Sequence, residues 1–258
     1  MGKQSASKSQ TRHGKLIPEL SPQVPPSRVL DETYWLQFGL DPKPSTRQKM
    51  MYVTVDDVSR IGPVSFNAVT MCDEVGVSDG LLNFHFGSRN ELLAETLVWV
   101  YRRFVNEVAE SVNKAKDVPE AKLRAWITAV NQGFVKMGGW GVLVHYPIAS
   151  REVAYLAEHQ QGKEFVDMAE LNLARLLHII SDFKVGKVTA FDIELGKIPK
   201  SFFMKNPSLT ALTVSVALST SGMAVWQGGR TVGQAKKEGS TLDKLVVKTH
   251  IDRIIKSI

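Results

Sequence analysis

The chain has 258 residues, 43% of them hydrophobic and 22% charged, enough to bury one large core or two modest ones, which excludes a wholly disordered protein. A net charge of +6 suits a polyanionic partner without demanding one, and the single cysteine, Cys72, excludes an internal disulfide framework. The longest apolar stretch, 209–225, is interrupted by Thr and Ser and falls short of the roughly 20 apolar residues of a spanning helix; with no apolar leader at the N-terminus, a cytoplasmic protein without a membrane partner is expected.

Residues 1–44 hold Ser, Gln, Lys and six of the eleven prolines, the composition of a mostly disordered basic tail, although Tyr34, Trp35, Phe38 and Leu40 can pack back onto a body. Lys3, Lys8, Arg12 and Lys15 suit an arm that follows a phosphate backbone or lies in a minor groove, and equally a solvated tail. The run Ser45-Thr46-Arg47-Gln48 has the form of a capping box and predicts a helix start. Met51, Val55 and Val58 continue it as one stripe, Gly62-Pro63 stops it, and Tyr52 to Val55 pull locally toward strand.

From 65 to 86 the chain runs SFNAVTMCDEVGVSDGLLNFHF, which predicts two short helices around a tight turn. Ser65 or Asn67 can cap the first, whose Ala68, Met71, Cys72 and Val75 recur at i, i+3, i+4 and i+7 and bury one face. Gly76 stands where that helix must end left-handed, Val77 can plug the turn, and Ser78 can cap the second helix. There Leu82 and Phe86 would turn inward, leaving Asp79, Gly80, Leu81, Asn83 and His85 toward the outside, as on a helix that reads the major groove. Seven Lys/Arg stand against eight Asp/Glu from 41 to 104, so any DNA contact there rests on a few placed groups.

The spacing of Gly62 to Gly76, the small Cys72 before the turn, Val77-Ser78, Gly80, Asn83-Phe84-His85-Phe86 and Ser88-Arg89-Asn90-Glu91-Leu92-Leu93 together resemble the DNA-binding domain of TetR-family transcriptional regulators. The resemblance covers 45 to about 97 in detail; beyond that only length and helical make-up agree. It implies an all-α protein with a tail over 1–44, a helix-turn-helix DNA-binding domain over 45–92 and a helical ligand-binding and dimerisation domain over 93–258. It implies that Ser65, Asn67 and Ser78 lie at the DNA with Asp79, Gly80, Leu81, Asn83 and His85, the serines donating to phosphate and Gly80 letting the backbone approach. Arg89, where the family commonly has Lys, would hold a phosphate. Asn83 replaces a usual phosphate-contacting Tyr and Leu81 a common Thr, which puts the anchoring at those two positions in doubt.

Behind the head, helices are predicted over 88/89–114, 120–137, 151–158, 164–180, 208–227 and 241–257, with 183–206 an extended loop or hairpin. The resemblance implies a small effector in this body and a homodimer through the last two helices. The nearly uncharged 208–227 stretch suits close packing either in that interface or in the monomer core, and Leu242, Leu245, Val246, Ile251, Ile254 and Ile255 would share one side of the last helix. Trp126, Phe134, Trp140, Tyr146, Phe165, Met168 and Leu177, with Trp226 behind them, are the candidate ligand walls, each also explicable as plain core, and they favour an apolar effector over a charged metabolite. Gly138-Gly139 allows a flexible mouth or a simple turn.

The six histidines form no metal-ligand spacing, no catalytic arrangement recurs, and no glycine pair sits in a phosphate-cradling motif, so neither enzyme nor cofactor is expected. The expected function is a DNA-binding repressor released from its operator by an effector. The rivals are a regulator or activator that needs no ligand, and a helical binding protein that has lost DNA reading.

Overall fold

The capping box expected at Ser45 is present: Ser45 Oγ accepts from Gln48 N at 3.3 Å and Gln48 Oε1 accepts from Ser45 N at 2.8 Å. It opens a 20-residue helix in the computed structural model, which describes residues 28–36, 42–137, 140, 160–189, 206–231 and 239–258. This helix, α2 (Thr46–Ser65), follows a short α1 (Glu32–Leu36). The strand-favouring Tyr52, Val53 and Thr54 are helical because all three are buried, and the Thr54 hydroxyl settles on Met50 O at 2.8 Å. Gly62-Pro63 interrupts the helix where predicted. Gly62 leaves helical geometry at φ 78°, Pro63 restarts a turn that needs no N–H at its first position, and this turn runs to Ser65.

Residues 28–36, placed in the tail by composition, dock on α2 and on α3 (Ala68–Val75). Trp35 is buried beside Tyr34 and Tyr52, at ring distances of 4.8 and 6.4 Å. Arg28 ties the segment down, with both oxygens of Glu74 at 2.6 and 2.7 Å, Asp57 Oδ1 at 2.8 Å and Asp56 as a third acid.

The chain continues through α4 (Asp79–Phe86), α5 (Arg89–Lys114), α6 (Pro119–Met137), α7 (Gln160–Val185), α8 (Pro207–Thr231) and α9 (Gly239–Ser257). No strand occurs among the described residues, and the fold is all-α. The long α5 packs against α2 and α4 at its start and against α6 and α7 further on, α8 covers α6 and α7, and α9 lies on α6 and α8. One buried cluster runs unbroken from Trp35 to Ile254. Gly133 lets α6 approach α5, since a Cβ there would sit 2.5 Å from the Phe104 ring.

The helix predicted over 151–158 and residues 190–205 of the predicted loop lie outside the described residues. The start of that loop is helical instead: α7 overruns Ile180 to Val185 because Phe183 packs on the core, and Asp182 accepts from Thr189 N and Oγ1 at 2.9 and 2.8 Å. In α8 the buried Thr213, Thr220 and Ser221 hydroxyls each bond the carbonyl four residues back at 2.7–2.8 Å, so small polar residues pack closely without outside partners. On α9, Ile251 and Ile254 are buried, whereas Leu245, expected on the same side, is 60% exposed. No helix among the described residues is long and apolar enough to cross a membrane.

Candidate nucleic-acid interface

Helices α3 and α4 form a tight pair whose corner is set by backbone. Asn67, and not Ser65, caps α3, its Oδ1 accepting from Val69 N at 2.9 Å and Thr70 N at 3.3 Å, while Ser65 is the exposed last residue of α2. Gly76 ends α3 in the left-handed region at φ 76°, ψ 38°, with Val77 N donating to Cys72 O at 2.9 Å. Met71 and Cys72 are buried under the turn. Burial, then the nearby Asp79 and Asp73 carboxylates, push the Cys72 thiol up, which keeps it protonated. Ser78 stands at the cap of α4, yet its side chain makes no capping bond and its hydroxyl stays exposed.

In α4, Leu82 and Phe86 are buried one turn apart and hold the helix to the core. Asp79, Gly80 and Asn83 are exposed, whereas Leu81 and His85 are half-buried on its flank. Phe84, which the sequence reading does not place at the interface, is 80% exposed. Position 84 lies midway between 82 and 86, about 200° round a helix from either. Two inward neighbours therefore force it outward, and that signal was legible. Gly80 has helical geometry, and a Cβ there would meet Ser78 Oγ at 3.7 Å with nothing closer, so the fold itself does not require glycine.

Arg89, expected at a phosphate, is bonded within the chain. Its guanidinium turns inward, donating to Pro63 O at 2.7 Å, to Phe66 O at 3.1 Å and to Asn90 Oδ1 at 3.3 Å, beside the Phe66 ring at 5.6 Å. It thus fastens the start of α5 to the α2–α3 junction. Arg47 braces the other side, paired with Glu95 on α5 and lying 4.7 Å from the Phe86 ring. The acids Asp56, Asp57 and Glu74 are gathered on Arg28, with Arg60 also on Asp57 at 3.0 Å, which mutes negative charge on the head.

Of the candidate ligand walls, Phe134 and Phe165 come together: Phe134 meets Phe104 at 5.0 Å, Phe104 meets Tyr101 at 5.6 Å, and Tyr101 meets Phe165 at 4.7 Å. Met168, half-buried, shares the α7 stripe of Phe165. Trp126 on α6 and Leu177 on α7 are also buried. Trp140 sits elsewhere, fully buried with its indole N–H donating to Val55 O on α2 at 2.9 Å, so it braces body against head. Tyr146 and the side chain of Trp226 lie outside what is described. A groove of about 540 Å³ between α8 and α9 is lined by Ser219, His250, Arg253, Ile254, Lys256 and Ser257, none of them an expected ligand residue.

No family model and no curated protein matches this chain. Among solved structures, a candidate transcriptional regulator from Pseudomonas aeruginosa PAO1 shares its fold, with a TM-score of 0.50 and 14% identity over 81% of this chain and 90% of that one.

Proposed function

We propose that this chain is a sequence-specific DNA-binding transcriptional regulator of the TetR type, a homodimeric repressor whose operator affinity falls when a small effector enters the helical body. The carrying observation is α4: a short helix anchored by Leu82 and Phe86 that turns Gly80, Asn83 and Phe84 outward. Asn83 can pair with adenine, Phe84 and Leu81 can meet thymine methyls, and Asp79 can accept from cytosine N4. Ser78, whose hydroxyl does no capping, together with Ser65, the free amide N–H groups of Asn67 and His85, supplies the phosphate contacts that Arg89, drawn inward, does not. The shared fold with the Pseudomonas aeruginosa protein supports the same reading.

Effector action has two physical routes to the head, the continuous α5 and the Trp140–Val55 bond. A change in body packing would move the paired heads apart, and only one separation fits successive major grooves. A gel shift on the chain's own upstream DNA across a salt series tests the reading. Binding that outlasts nonspecific competitor and weakens log-linearly with salt, by about 0.9 per phosphate contact, is expected. Binding no tighter than to random duplex would sink it.

A further inference from the structure

The groove between α8 and α9 is lined by positive charge that neither wall answers. Its volume of about 540 Å³ is that of a small-molecule site, and it is lined by Ser219 of α8 and by His250, Arg253, Ile254, Lys256 and Ser257 of α9. His250, Arg253, Ile254 and Ser257 recur at i, i+3, i+4 and i+7, so the last two turns of α9 present one face to it. Ile254 is its buried floor, and Arg253 and Lys256 stand exposed beside it. His250 Nε2 lies 3.2 Å from Ser219 O and 3.4 Å from Ser219 Oγ; as a donor to that carbonyl it joins the walls and leaves the Ser219 hydroxyl proton to give.

No carboxylate lines the groove. From 206 to 231 the chain has no acidic residue, so α8 offers none. On α9 the neighbouring Asp252 is held by Arg124 of α6 at 2.7 Å, and Arg253 has no ion-pair partner among the described residues. Cations in the last turns of a helix also complement its dipole, but that amounts to about half a charge, which Arg253 and Lys256 together exceed.

We propose that this groove binds a small organic anion, a phosphate ester or a carboxylate. Arg253 gives parallel N–H groups to two of its oxygens, Lys256 a point charge and Ser219 a hydroxyl donor. An inorganic ion alone would leave most of the volume empty, whereas an apolar body can lie over Ile254 along the aliphatic stems of Arg253 and Lys256. The site goes beyond the DNA reading and does not rest on it.

Thermal unfolding of the full chain with phenyl phosphate, benzoate and the neutral benzyl alcohol tests this. Phenyl phosphate or benzoate should raise Tm by about 3–5 °C at tenfold Kd, less as NaCl is added, and benzyl alcohol should leave it unchanged. The double variant Arg253→Gln, Lys256→Gln should melt near the native Tm without probe, since both side chains are exposed, and should lose most of the rise. Lys184→Gln with Lys187→Gln removes the same charge from exposed positions outside the groove and should keep it. No rise with either anion, an equal rise with benzyl alcohol, or a rise that survives in the groove variant would overturn the inference. In gel shifts the groove variant should hold operator DNA as the native chain does. Loss of that binding would give the two cations to DNA and overturn the inference too, whereas a native chain that binds no operator defeats the regulator reading and leaves the anion site standing.

Discussion

A Cβ at Gly80 would meet only Ser78 Oγ, at 3.7 Å, yet glycine within a helix costs about 0.5–1 kcal/mol relative to alanine. That cost makes sense if something outside the chain must come close. Gly80→Ala is therefore expected to raise stability by up to about 0.5–1 kcal/mol in chemical denaturation while lowering operator affinity tenfold or more in gel shifts; equal affinity would remove Gly80 from the interface. Phe84 is the same argument with a large side chain: at 80% exposure Phe84→Ala should change stability by no more than about 0.5 kcal/mol, and any loss of operator affinity reports contact with DNA. Arg28 works inward instead. Arg28→Met removes one of the two guanidinium groups on Asp57, whose side chain is 9% exposed, and leaves Arg60 at 3.0 Å, so it should cost stability below the roughly 3–5 kcal/mol seen for broken buried pairs. Burial already holds the Asp57 carboxyl above its ordinary 3.8 in spite of Arg28. The folded state therefore binds this proton more tightly than the unfolded one, and stability from this group is present below 3.8 and lost as pH rises from there through the folded value. Without the guanidinium that loss deepens, so the deficit of Arg28→Met should be largest at neutral pH and shrink as pH falls through the folded values, which lie above 3.8. Thermal melts across pH check this, and a deficit independent of pH would place the effect elsewhere.

Local chemistry made most elements legible, and distance hid the rest. The Ser45 box, the Asn67 cap, the left-handed Gly76 and the inward pair Leu82 and Phe86 are each settled within about a turn of chain, and sequence alone placed them, with Ser65 left open as the rival cap. Gly62-Pro63 shows the break but not the further turn from Pro63 to Ser65, because only the neighbours decide whether that turn is worth forming. Arg89 is expected at a phosphate from the resemblance alone; its bonds to Pro63 O and Phe66 O, 26 and 23 residues back, carry no side-chain signal. Trp140, whose partner Val55 is 85 residues away, could be recognised as large and apolar but not as a brace. This placement yields a prediction on coupling: Trp140→Phe keeps an aromatic ring, though a smaller one, and deletes the N–H donated to α2. Operator affinity without effector should stay within a few-fold of native, whereas the drop in affinity produced by a saturating effector should shrink. If that drop is unchanged, α5 alone carries the coupling.

For the molecule as a whole, the outer face of α8 leaves a question that the monomer does not answer. Thr213, Val216, Thr220 and Ala224 face α6 and α7 and are buried, while Ala211, Val214, Ser215, Leu218 and Gly222 form the opposite strip, with Val214 37% and Leu218 65% exposed. The strip carries no charge and its residues are small, which lets a second helix come close; Leu245 on the neighbouring α9, 60% exposed, adds to the apolar surface of that pair. A palindromic operator needs two heads held one helical turn apart, and an isologous pairing of α8 and α9 between two copies would supply them. Sedimentation of the native chain at micromolar concentration should therefore give a dimer. Leu218→Arg should give a monomer with unchanged helical circular dichroism, because the new charge replaces a side chain that touches little within its own chain. That monomer should bind a single half-site weakly and lose most affinity for the full operator, since the second head no longer adds to the first. A native monomer, or a Leu218→Arg dimer that binds the operator as before, would move the interface off this face and leave the exposed strip without its partner.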